Sequence, residues 1–137
     1  MDGGGMVFTD AERTYLSSQR LGRLATVDAD GMPQNSPVGF RVDPESGTID
    51  ISGWKMGASR KFRNVQRGSG VALVVDDIAS VDPWRVRGVE IRGVAEALTD
   101  QPRTNDYVSG EVIRIHPRWI FSWGIDPDQS AGSRRRV

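Results

Sequence analysis

Apolar and polar residues alternate with period two along several short stretches of this chain. Thr48-Ile49-Asp50-Ile51-Ser52 is the cleanest of them and reads as a half-buried strand. Gly22 to Val27 and Gln34 to Val42 predict the two arms of a hairpin around Asp28-Ala29-Asp30-Gly31, where Gly31 can take positive φ. Pro37 falls inside the return arm and predicts an edge or a bulge, because proline donates nothing to a ladder. Asp43-Pro44-Glu45-Ser46-Gly47 predicts the next tight turn. Val71 to Val75 is an unbroken apolar run, as a central strand requires, and Asp76 to Pro83 is predicted to be a polar connection. Trp84 to Leu98 predicts a long strand that Gly88 and Gly93 allow to bend. Val112 to His116 and Trp119 to Trp123 complete the strands.

Helical spacing occurs twice. Thr9-Asp10-Ala11-Glu12 has the form of a capping box and opens a helix whose apolar side is Tyr15 and Leu16. Ala58, Phe62 and Val65 stand at i, i+4 and i+7 and predict a second helix over Ser59 to Gln66, ended by Gly68-Ser69-Gly70. Strands joined by tight turns leave no room for a helix after each one. The predicted fold is therefore mainly β (α+β): six or seven mostly antiparallel strands closed into a small barrel, with two short helices. One domain is expected over residues 9–125, with a flexible N-terminus over 1–8 and a mobile polar tail over 126–137.

Composition narrows the chemistry. The chain has 137 residues, enough for a core without disulfides or metals. It has no cysteine, which removes disulfides, thiolate zinc sites and cysteine nucleophiles, and fits a cytoplasmic protein. Apolar runs are too short to span a membrane, and the first residues lack the pattern of a signal peptide. A formal net charge of zero argues against a polyanion such as nucleic acid as the main partner, so Arg134-Arg135-Arg136 reads as a solvated tail. His116 is the single histidine, which is too few for a metal cluster, and Asp76-Asp77 and Asp126-Pro127-Asp128 read as turn residues; no metal is expected. Trp54, Trp84, Trp119 and Trp123 are more often packing than ring-stacking groups.

One run carries chemistry. Ser59-Arg60-Lys61-Phe62-Arg63-Asn64 places three cations in the first turns of a short helix, where the helix dipole is already positive. On the local sequence a solvated helix start and an anion site are equally good readings. The dipole conflict and the flanking strands favour an anion, such as a phosphate, resting on backbone N–H groups beneath Arg60 and Lys61. Lys55 and Lys61 are the two lysines of the chain, and both fall near this point.

These pieces together resemble a known family. Leu21-Gly22-Arg23-Leu24-Ala25-Thr26-Val27, then Asp30-Gly31-Met32-Pro33-Gln34-Asn35-Ser36-Pro37-Val38, then Ser59-Arg60-Lys61 with Asn64, then Val75-Asp76-Asp77 and Val89-Glu90-Ile91-Arg92-Gly93 follow in the order found in the split β-barrel flavin- and deazaflavin-binding proteins. This is the pyridoxamine 5′-phosphate oxidase-like superfamily, and the chain is most similar to its small actinobacterial branch that uses coenzyme F-420. The resemblance runs from about Thr9 to Gly124. It implies that Ser59, Arg60, Lys61 and Asn64 hold the cofactor phosphate, and that the ring system lies along Pro37 and Val38 and near Ser52. It implies a homodimer with two cofactor sites at the interface, for which Trp84, Arg85 and the Trp119 to Trp123 segment are the partner-side candidates. Lys55, Arg63 and Arg67 would meet the anionic oligoglutamyl tail of the deazaflavin.

The resemblance thus implies an F-420-dependent oxidoreductase that passes a hydride to a small, conjugated substrate. The chain lacks the full C-terminal region of the vitamin oxidases, although Arg114-Ile115-His116-Pro117-Arg118 echoes their substrate-phosphate run. The alternatives are an FMN-binding relative, a carrier of flavin or haem without turnover, and a purely structural barrel. No residue stands out as an acid–base catalyst, so the catalytic group is unassigned.

Overall fold

The computed structural model describes residues 7–127 and 132–137. Its elements in chain order are α1 (Asp10–Ser17), β1 (Leu21–Val27), β2 (Pro33–Gly39), β3 (Arg41–Val42), β4 (Ile49–Ile51), α2 (Arg60–Gln66), β5 (Val71–Ser80), β6 (Arg85–Leu98), β7 (Val112–Trp123) and β8 (Ser133–Arg136). The strands form one antiparallel sheet in the order β2-β1-β5-β6-β7-β4-β3, with β8 added against β7. The two ends of that order, β2 and β3, are joined by the single residue Phe40. A sheet whose opposite edges are one residue apart must curl on itself, so the seam at Phe40 makes it a split β-barrel. No helix among the described residues is long and apolar enough to cross a membrane.

Period-two alternation fills the interior. Leu24, Ile49, Ile51, Leu73, Val75, Val89, Ile91, Ile113, Ile115 and Ile120 are all fully buried. α1 adds Tyr15 and Leu16 to this core, and α2 adds Phe62 and Val65. The capping box at Thr9 forms as its sequence predicts: Thr9 Oγ1 accepts the Glu12 N–H at 3.1 Å and Glu12 Oε1 accepts the Thr9 N–H at 2.9 Å. Ahead of the second helix Met56, rather than the exposed Ala58, takes the inward place before Phe62.

Four features differ from the sequence reading, each for a local reason. The predicted polar connection after Val75 continues as strand through Ser80, because its acids find cross-strand cations. Asp77 is held by Arg87 through two bonds at 2.8 and 3.0 Å, and Asp76 pairs with Arg23. The two segments around Pro117 are one strand. The ladder shifts register between Arg92 and Gly93, and a Cβ on Gly93 would stand 2.1 Å from the His116 carbonyl oxygen. The bulge absorbs the proline, and glycine makes the close approach possible. The predicted strand from Gln34 to Val42 breaks at Phe40, where the chain crosses the seam. The merger and the break offset one another, and the strand β8 of the C-terminal segment brings the described strands to eight.

The fourth difference lies at the termini. In the tail expected to be mobile over 126–137, residues 133–136 form β8, while 128–131 lie outside the described residues. Arg135 reaches inward and grips the buried carboxylate of Glu12 at 2.6 and 2.7 Å. A polar run read by composition alone hides this, because one arginine of the three supplies the partner that a buried glutamate requires. At the other end residues 1–6 of the expected flexible N-terminus lie outside the described residues, but Phe8 is part of the core.

Candidate cofactor and substrate site

The loop from Ser52 to Ser59 carries the candidate residues from the end of β4 into α2. Lys55 adopts the left-handed conformation (φ 53°, ψ 44°) and turns the chain into a 3-10 turn, Met56–Ala58. Ser109 and Glu111 brace this loop from below. The Met56 N–H donates to Ser109 Oγ at 3.0 Å, the Ser109 N–H donates to the Gly53 carbonyl at 3.0 Å, and the Gly57 N–H donates to Glu111 Oε1 at 3.3 Å. Sequence reasoning missed both residues, because nothing in the sequence pairs positions more than fifty residues apart.

Ser59 caps α2. Its hydroxyl accepts the Phe62 N–H at 3.2 Å and donates to the Met56 carbonyl at 2.6 Å. Arg60 and Arg63 are exposed and Lys61 is half-buried. Among the described residues Lys55, Arg60, Lys61, Arg63 and Arg67 form no ion pair, and the first turn of α2 has no acid. Lys55 instead extends over the exposed Trp54 ring, 4.7 Å from its centroid. An anion at the first turn of α2 would relieve the repulsion of Arg60 and Lys61 by one another and by the helix dipole.

Asn64 does not share this exposed position. It is 3% exposed, and its Nδ2 donates to Thr26 Oγ1 at 3.0 Å. That hydroxyl donates in turn to Gln34 Oε1 at 3.1 Å. The chain of bonds ties α2 to β1 and β2, and it fixes the cation-bearing helix relative to the strands.

Pro37 and Val38 lie on opposite faces of β2, Pro37 outward and Val38 buried at 5% exposure. Both belong to an edge strand that pairs with β1 alone, so the far side of its backbone offers unpaired N–H and C=O groups. Ser52 lies just beyond β4 at the rim of a groove of about 280 Å³, whose walls include Gly39, Phe40, Arg41, Asp50 and Asn105. A second groove of about 340 Å³ lies on the other side of Phe40 and Arg41, against Leu16, Val42 and Pro44.

The sequence model of the pyridoxamine 5′-phosphate oxidase family matches residues 8–137. The chain belongs to the pyridoxamine 5′-phosphate oxidase family. Within reach of this family, the chain is 52% identical over 132 residues to the 5a,11a-dehydrotetracycline/5a,11a-dehydrooxytetracycline reductase of Streptomyces rimosus, covering 96% of this chain and 93% of that protein. A pyridoxamine 5′-phosphate oxidase-like protein of Lactobacillus delbrueckii superposes with a TM-score of 0.65 at 26% identity, over 83% of this chain and 93% of that one. An F-420 reductase superposes with a TM-score of 0.63 at 23% identity, over 82% and 98%, and shows the shared fold. The family and the Streptomyces relative are named for oxidation and reduction of small molecules.

The run that echoes the substrate-phosphate motif of the pyridoxamine phosphate oxidases is committed elsewhere in this family member. Arg114 donates two bonds to Asp50, at 2.8 and 3.0 Å, and this pairing holds its guanidinium charged. His116 Nε2 is buried 3.5 Å from Glu96. Arg118 bonds the carbonyl of its neighbour Pro117.

Proposed function

We propose that the protein is an oxidoreductase that binds reduced coenzyme F-420 at the turn into α2 and reduces a conjugated carbon–carbon double bond of a small polycyclic substrate of the dehydrotetracycline class. The run of cations without acidic partners among the described residues, on a helix tied to β1 and β2 through Asn64, Thr26 and Gln34, carries the reading. The reductase relative supports the substrate class.

The donor set suits a phosphodiester with an acidic tail. Arg60 and Lys61 close over the phosphate, and Ser59 presents the capped helix end to it. Lys55, Arg63 and Arg67 extend the positive surface along the direction an oligoglutamyl chain would follow. The edge of β2 at Pro37 and Val38, together with Ser52, flanks the ring. Asn64 acts one step back by holding α2 against Thr26. When bound, the reduced deazaflavin supplies the hydride. The protein orients the acceptor carbon over the ring and keeps bulk water from the exposed face, and the balancing proton comes from solvent.

A homodimer is part of the proposal. Both grooves are open, and Val81, Trp84 and Ile78 expose apolar surface at the β5–β6 hairpin, at 73%, 63% and 52%. A second copy would cover such a patch and complete the site.

Fluorescence titration of the purified protein with oxidised F-420 and with FMN tests the reading. The expected result is micromolar or tighter binding of the deazaflavin, weakened about tenfold by Lys61→Ala or Arg60→Ala through loss of a charge-assisted bond. Tighter binding of FMN would transfer the proposal to a flavin enzyme. Binding of neither cofactor would overturn it.

A further inference from the structure

We propose that Arg41, at the seam of the barrel, binds the oxygen of the substrate's conjugated carbonyl, and that Phe40 is the platform on which its fused rings lie. This inference rests on the reductase reading above and assigns the substrate side of the same site.

Four observations converge on these two residues. Phe40 and Arg41 are shared by the two grooves that flank the seam. Phe40 packs against the core, so its ring is held from beneath. The Arg41 side chain is 68% exposed, and the one carboxylate paired with it among the described residues, Asp50, is 3.8 Å away. That carboxylate is 15% exposed and already receives both bonds from Arg114, so it fixes the place of Arg41 without occupying its donors. Ser52, where the ring of the cofactor is expected, lines the same groove as Arg41.

Size and charge select the ligand. A groove of about 280 Å³ is small beside pockets that enclose whole ligands, which typically run from about 300 to 1,000 Å³. It accepts the edge of a flat polycycle and leaves the rest across Phe40 into the second groove. A guanidinium at that edge favours an oxygen that is anionic or becomes so. The reaction creates such an oxygen. A hydride and its electron pair reach the far carbon of C=C–C=O, the π pair moves onto oxygen as an enolate facing Arg41, and a proton from water completes the C–H bond at the near carbon. The substrate gains two electrons and the cofactor loses them. Charge that grows toward a fixed cation is stabilised more in the transition state than in the ground state.

Tetracycline, a four-ring compound with ionisable enols, serves as the probe. Its binding to the cofactor-free protein is followed by fluorescence anisotropy for wild type, Arg41→Leu and Arg41→Lys. Oxidised F-420 binding and thermal melting are recorded for each. Arg41→Leu is expected to weaken tetracycline about tenfold, Arg41→Lys to restore part of the loss, and F-420 binding to stay within about twofold. Tetracycline binding that is absent in wild type, or undiminished in Arg41→Leu, overturns the inference. Loss of F-420 binding in wild type overturns the reductase reading instead, and the tetracycline measurement still decides the role of Arg41.

Discussion

Two regions rich in cations behave in opposite ways. At the junction of α1 and β8, Arg135 is matched by a glutamate that is 1% exposed, and both carboxylate oxygens are bonded. Along α2, from Lys55 ahead of its start to Arg67 at its C-terminal cap, five cations have no acidic partner among the described residues. Folding satisfies the first set and leaves the second unsatisfied. A charge paired inside the fold reports on stability, and a charge left unpaired at a loop reports on a ligand.

The largest way to sharpen that contrast is Arg135→Ala. It strands the buried Glu12 carboxylate and is expected to cost about 3 kcal/mol, read as a fall in the urea midpoint at constant slope. Glu12→Leu combined with Arg135→Leu should recover most of the loss, since it removes both charges. Asn64→Ala stands between the two regions. It leaves the Thr26 hydroxyl without its donor inside the protein and should cost about 1–2 kcal/mol. Cofactor affinity should fall with it to the extent that α2 shifts. Arg60→Ala and Lys61→Ala belong wholly to the second region. Melting curves should stay within about 0.5 kcal/mol of wild type while F-420 binding weakens and loses part of its salt dependence. A large fall in stability for either variant would erase the distinction.

The smallest effect is a pH dependence on the paired side. The Arg87 guanidinium, together with the Tyr15 hydroxyl, holds the Asp77 carboxyl below its ordinary value of 3.8. A carboxylate whose folded-state pKa is depressed stabilises the fold above the unfolded value and loses that contribution as pH falls through the folded one. Stability should therefore decline below about pH 4, and Asp77→Asn should flatten the decline in urea melts between pH 3 and 7. The Tyr15 hydroxyl is shifted the other way, upward, by its burial and by its bond to Asp77.

Much of the fold was legible because local patterns agreed with global ones. The capping box at Thr9, the alternation over Ile49–Ile51 and the apolar run from Val71 to Val75 each signal an element that forms. Pro37 marks an edge strand as its missing N–H requires. What escaped the sequence depends on distant partners. Asp76 and Asp77 look like loop residues until Arg23 and Arg87 are placed beside them. β8 looks like a tail until Glu12 is seen to need Arg135. The cations of the candidate site could be read directly, since a charge without a local partner is visible in sequence. The burial of Asn64 could not, because a polar residue three positions beyond Lys61 gives no sign of which side of α2 meets β1. Phe40 and Arg41 were missed for a related reason: they gain meaning only when the two ends of the sheet meet.

That meeting has a mechanical consequence. Elsewhere neighbouring strands are stitched by ladders, and parting them breaks several hydrogen bonds in concert. At the seam β2 and β3 are linked through one residue. A flat molecule wedged there works against the torsion angles of Phe40 and the packing of one ring. The barrel therefore has a built-in hinge, and its most compliant direction opens onto the floor where the candidate substrate would lie.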